Sequence, residues 1–227
     1  MDNKPTPYDA RDPLDWNAGS VKDKRDLQLD QIVEHAFIRA AVKHMLQHPD
    51  QFDDWTVQGF GMMRCYIPGP VYDKQYRLNI WDSTLMVPGV STIHDHPWHF
   101  KSWIVNGPFH NIRFVEDHFC GDPFEYKLIK TGVDATLQEA TRLRMNLRAL
   151  PVETYNTGDT YYQAADEIHR SAPGFGTVTL NERTRVGDGE HARVFWPAGE
   201  EWVDAKPRKA TEAEIFATTR LALSKWT

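Results

Sequence analysis

With 227 residues, 41% hydrophobic and 12% aromatic, the chain has a globular composition and the length to bury a substantial core in one large domain. A formal charge of −6 argues against a nucleic-acid or anionic-membrane binder, which needs a basic face, although a local basic pocket stays open. Its two cysteines, Cys65 and Cys120, form no CxxC pair, so neither a disulfide framework nor a zinc ribbon is indicated, and a cytoplasmic setting is expected.

Residues 1–26, with Pro5, Pro7 and Pro13, read as an arm of turns without the basic start and apolar stretch of a signal peptide. Between Leu27 and His48 the residues Leu29, Ile32, Val33, Ala36, Phe37, Ala40, Ala41 and Met45 follow the three-and-four spacing of an amphipathic helix, stopped by Pro49. His35, His44 and His48 belong to that helix and read as partly exposed. From Trp55 onward, short β-branched and aromatic stretches alternate with Gly, Pro and Asp, the pattern of a β-sandwich or barrel. Residues 134–140 suggest a helical turn, and 141–150 fit strand or helix. From Thr211 to Trp226 a second helix opens with a Thr-x-x-Glu capping box. The expected division is an arm and helix over 1–54, a barrel over 55–203 with an insertion at 117–150, and a terminal helix over 204–227 packed on the barrel. The helical ends would also suit a homodimer.

The chemistry concentrates in the stretch STIHDHPWHF, residues 91–100. In an extended strand His94 and His96 project to one face and Asp95 to the other, so two imidazoles make half of a metal site. A facing strand has to supply the third ligand. The segment GDTYYQAADEIHR, which begins at Gly158, offers His169.

These two stretches resemble the motifs of the cupin superfamily. His94, His96 and Gly107 stand at its first-motif positions, and Gly158, Ala164, Asp166 and His169 at the intervals of the second. Ala164 and Asp166 replace a Pro and a Gly, and Asp tolerates the left-handed backbone that the Gly supplies. The resemblance covers residues 56–197 and implies a mainly β, double-stranded β-helix barrel with helices at its N- and C-terminal ends. It also implies a metal held by His94, His96 and His169, because the position of the family's glutamate ligand falls on Phe100 or Lys101. Such a neutral set suits Fe(II) binding substrate and O2 together, with zinc, nickel, manganese or copper as alternatives.

The metal strand is similar to that of the cysteine dioxygenase type, but Thr177, Thr179 and Asn181 stand where that type keeps its triad, and its cross-linking cysteine would fall near Lys101. A looser similarity is to uncharacterised small bacterial cupins with HDHPW, an HR pair and an FWP-G--W stretch, here His94–Trp98, His169-Arg170 and Phe195–Trp202.

Around this centre, His99 is a candidate fourth ligand, acid/base group or outer donor to another imidazole, and Lys101 a weaker catalytic candidate. His110 and Glu167 are minor candidates. Trp98, Trp81 and Tyr161 are candidate pocket walls, with core packing the alternative for each. Arg64, Arg77 and Arg113 lie in predicted strands, where an inward guanidinium would suit a substrate carboxylate and an outward one a surface ion pair. Parity groups Arg64 with Met62 and Tyr66, and Arg77 with Asn79 and Trp81, without saying which face turns inward. The functions in play are an Fe(II)- and O2-dependent dioxygenase acting on a small polar substrate, a metal-dependent isomerase, lyase or hydrolase, and a non-catalytic binding protein.

Overall fold

A computed structural model of the chain describes residues 24–67, 74–130, 143–185, 191–203 and 205–226. The backbone divides into two units, Met1–Glu34 and His35–Thr227. Helix α1 (Lys24–Gln47) runs through this division, and its opening turns are the described part of the first unit. The suggested turn at 134–140 and most of the predicted arm lie outside the described residues.

In the second unit the strands are, in chain order, β1 (Trp55–Gln58), β2 (Phe60–Ile67), β3 (Lys74–Met86), β4 (Ile93–His94), β5 (Trp98–Asn106), β6 (Phe109–Glu116) and β7 (Asp122–Lys130). There follow β8 (Leu143–Ala149), β9 (Glu153–Tyr155), β10 (Thr160–Gln163), β11 (His169–Pro173), β12 (Val178–Arg185), β13 (His191–Pro197) and β14 (Arg208–Lys209). Helix α2 (Glu212–Ser224) closes the chain, and its predicted capping box is formed by Thr211 and Glu214. One sheet has the order β10-β5-β12-β3-β2-β1-β14 and the other β11-β4-β13-β7-β8-β6-β9, with β11 also pairing β6. All these pairings are antiparallel, so the expected mainly β architecture with helices at both ends is what the structure has. The stretch left open between strand and helix is β8, paired with both β6 and β7.

The first sheet buries both faces, in different ways. Met63, Cys65, Leu78, Ile80, Trp103, Val105, Val178 and Leu180 form an apolar face that packs against Val42, Met45 and Leu46 of α1 and Ala222 of α2. The residues between them in each strand turn the other way, as the two-residue period requires. That second face carries an aromatic cluster of Met62, Trp81, Phe100, Ile104, Phe109 and Tyr161. It also carries polar rungs: Asn79 donates to Thr179 at 3.1 Å and Ser102 to Asn181 at 2.9 Å. Arg64 and Arg77 lie on this inner face by the same alternation.

One detail of α1 departs from the sequence pattern. Phe37 is 76% exposed, and the residues turned to the sheet are Ile38, Val42, Met45 and Leu46. The helix carries apolar residues on more than one face, and the i, i+4, i+7, i+8 set wins because it spans the turns above the sheet.

Candidate metal centre

Antiparallel register builds the site. His169 at the start of β11 stands directly opposite His94 at the end of β4, and directly opposed residues on neighbouring strands hold their side chains side by side. The chain leaves the strand after His94, and the carbonyl of His96 then accepts from the amide of Asp166 at 2.9 Å. Asp166 has φ 63, so the aspartate does adopt the left-handed turn expected at the glycine position. Asp95 points away, as parity predicts, and is 1% exposed. It accepts from the Arg193 backbone amide at 2.6 Å and pairs with the Arg193 guanidinium, which ties the histidine segment to β13.

The three imidazoles converge. One ligand atom from each of His94, His96 and His169 lies within 4.8 Å of the others. Ring centroids are 4.6 Å apart for His94 and His96, 4.8 Å for His94 and His169, and 5.3 Å for His96 and His169. Each outer nitrogen bond selects a tautomer. Nδ1 of His94 lies 3.0 Å from the carbonyl of Thr92, and Nδ1 of His169 lies 2.9 Å from Oδ1 of Asn111. Both partners accept, so both Nδ1 atoms donate and both Nε2 atoms are left as lone pairs.

Nε2 of His96 stands 3.3 Å from Nε2 of His169. Burial, together with the charges of the other two histidines, holds His96 well below the ordinary imidazole pKa, and burial also holds His169 well below it. Burial lowers His94 against the opposing effect of its Thr92 bond. Three neutral imidazoles with inward nitrogens so close fit a divalent cation.

Asn111 is one residue that sequence reasoning missed. Its amide nitrogen donates to Glu153 at 3.2 Å and to Gln163 at 3.3 Å, which leaves Oδ1 free for His169. Behind it Arg113 pairs with Glu153 at 3.1 Å and with Glu167 at 2.5 Å. Arg113 and Glu167 are therefore bound into this support, and Arg113 acts on the cluster only through its charge, which helps to lower His169. A signal was available: Phe109, Asn111 and Arg113 share a strand face, so of the pair His110 and Asn111 only one can turn inward. His110 is the one that turns out, toward Thr154 at 3.0 Å.

Two further candidates are also turned away. His99 is exposed and its Nδ1 accepts from the amide of Ala165 at 2.9 Å. The ammonium of Lys101 lies 4.3 Å from the ring centre of Trp103, on the helix-covered face. Alternation along β5 is the cause, because Trp98, Phe100 and Ser102 take the inner face and leave His99 and Lys101 the outer one. The position of the expected glutamate is thus filled by Phe100, 3% exposed, with its ring 5.4 Å from His96 and 6.1 Å from His169.

The remaining pocket candidates lie on the inner face. Trp98 stacks on His96 at 5.1 Å, and Phe60 stacks on His94 at 5.8 Å. Trp81 contacts Phe60 at 6.1 Å, and Tyr161 lies 5.9 Å from Phe100. The Arg77 guanidinium lies 5.7 Å from the Trp98 ring, and its charge depresses both His94 and His96. Arg183, which sequence reasoning did not single out, lies 4.5 Å from the same Trp98 ring. Arg64 lies 4.9 Å from the Tyr66 ring.

No family model matches the chain, and no curated protein matches it. Solved structures similar to it include KdgF from Halomonas sp., 16% identical over 60% of this chain and 89% of that one, with a TM-score of 0.31. A cupin-like protein from Thermotoga maritima is 13% identical over 72% of this chain and 87% of that one, with a TM-score of 0.33. The hydroquinone 1,2-dioxygenase PnpCD is 12% identical over 53% of this chain and 62% of that one, with a TM-score of 0.27. Likeness at this level carries no chemistry across, and the functional reading rests on the histidine cluster itself.

Proposed function

We propose that the chain is a metal-dependent enzyme, an Fe(II)- and O2-dependent oxygenase acting on a small polar substrate, with its ion held by His94, His96 and His169. The observation that carries this reading is the donor set: three convergent imidazoles, with Phe100 rather than a carboxylate beside them. A bound Fe(II) supplies Lewis acidity and one-electron chemistry toward O2. The chain's own residues do the rest. Thr92 and Asn111 fix the direction in which His94 and His169 present their lone pairs. Phe60, Trp98 and Phe100 pack against the imidazoles and give the site an aromatic wall.

The same three imidazoles accept zinc, nickel, manganese or copper, so a non-redox isomerase, lyase or hydrolase is the second reading. In its favour stands Tyr161, a phenol 4% exposed on the inner face, hydrogen-bonded with Ser102, whose pKa burial pushes upward so that it stays protonated. Elemental analysis of protein purified without added metal, followed by oxygen-electrode screening with thiols, β-dicarbonyls and amino acids, separates the readings. Iron with substrate-dependent O2 uptake supports the oxygenase, and zinc without uptake moves the assignment to the second reading. Full metal content in both His96→Ala and His169→Ala would falsify the site.

A further inference from the structure

On the inner face beside the histidines, four N–H groups are buried and have no hydrogen-bond partner among the described residues: Nε of Arg64, Nε of Arg77, Nε1 of Trp81 and Nε1 of Trp98. Against these four donors stands one orphaned acceptor on the same face, Oδ1 of Asn79. Buried donors are as a rule satisfied, and a cluster of exceptions calls for a ligand rich in acceptors.

Charge gives the same direction. Arg77 is 5% exposed, and an arginine keeps its charge even there. The groups that favour its charge are the phenols Tyr66 and Tyr161, and no carboxylate is among them. Arg64, next to it, is pulled down to about 10 by burial and by the Arg77 charge. Arg183 adds a third cation, 5.4 Å from the Tyr66 ring. Asp54 and Tyr66 offset part of the charge on Arg64, and Arg183 donates to Gln75, so the positive charge concentrates at Arg77 and the side of Arg64 next to it.

We infer that Arg77 and Arg64 seat an oxyanion of the substrate, a carboxylate or a phosphate group, with Arg183 at its edge and Trp98 between this seat and the histidines. The guanidinium fork matches either group through paired N–H bonds. Trp98 sets the spacing, since its ring stacks on His96 at 5.1 Å and also lies 5.7 Å from Arg77 and 4.5 Å from Arg183. The substrate is thus a small anion anchored by its charged end, with its reacting end at the metal centre. This rests on the reading of the three histidines as the reaction centre.

The test keeps the two apart. Binding of malonate, of inorganic phosphate and of neutral malonamide is measured by calorimetry on the wild-type chain dialysed free of metal and on His96→Ala. One of the anions is expected to bind at least about tenfold more tightly than malonamide, and the tighter of the two identifies the group. Arg77→Met and Arg64→Met are each expected to weaken that anion by about tenfold or more while metal content is unchanged. Arg77→Lys restores only part of the affinity, because it keeps the charge and loses the fork. If Arg77→Met fails to fold, the more exposed Arg64 carries the same comparison. Malonamide binding as well as the anions, neither anion binding, or anion affinity unchanged in the Met variants overturns the inference. Retained metal in His96→Ala overturns the metal reading alone and leaves the anion data standing.

Discussion

Asn111 shows how one side chain determines whether His169 can serve as a ligand. Fully buried, it accepts from Nδ1 of His169 and is itself aimed by its bonds to Glu153 and Gln163. Asn111→Leu removes the acceptor and frees the ring to turn or to take the other tautomer. Metal affinity is expected to fall roughly 10–100-fold, whereas His110→Ala, one position earlier on the outer face, leaves it unchanged. Competition against a chromogenic chelator measures both. The three-histidine cluster itself was legible in the sequence, because parity joins His94 to His96 and the Gly158-to-His169 interval supplies the partner 73 residues beyond His96. Asn111 was not, since parity separates it from His110 without saying which of the two faces inward. His99 drew notice by its place three residues past His96, but it lies on the outer side of β5, where it accepts from the Ala165 amide.

At the scale of elements, the short strand β4 needs an anchor, because two residues of ladder hold little. Asp95 provides it through the Arg193 amide and guanidinium, while Asp166 secures the backbone on the far side of His96. Asp95→Ala leaves Arg193 without its carboxylate and the amide without an acceptor. The expected cost is about 3 kcal/mol, at the low end for buried pairs because Arg193 is 26% exposed. For a chain of this size that lowers Tm by roughly 6–12 °C, and metal binding weakens with it as β4 loosens. Calorimetry of the metal-free protein checks the first part; an unchanged Tm would mean that β4 is held by its ladder alone. Most strands and both helices were legible, since β-branched runs, turn residues and the Thr211 capping box are local signals. The inward face of the first sheet was not. Both of its faces are buried, one apolar beneath the helices and one polar around the site, so simple alternation of apolar and polar residues reports parity without direction.

The whole molecule brings three imidazoles into an interior that disfavours their charge, and this ties stability to pH. In the unfolded chain each takes up a proton near the ordinary histidine pKa of about 6.5. In the folded, metal-free chain all three are held lower, His96 and His169 well below. The unfolded state therefore binds more protons once the pH drops below about 6.5, and stability falls with falling pH until the folded values are reached. Above that pH both states are neutral at these positions and the contribution is flat. Each histidine adds a slope of up to about 1.4 kcal/mol per pH unit, so the three together should make Tm of the metal-free protein fall steeply between about pH 6.5 and 5. A bound divalent ion competes with the same protons and stabilises the native state by mass action, so the metal-loaded protein keeps its Tm to lower pH. Replacing His96 and His169 by Gln removes two of the three titrating groups and should flatten the metal-free profile over this range. Melting curves of the two proteins from pH 8 to about 5 measure the difference. A double variant as acid-sensitive as the parent would place the proton uptake outside the histidine cluster, and with it the origin of any acid-driven loss of metal.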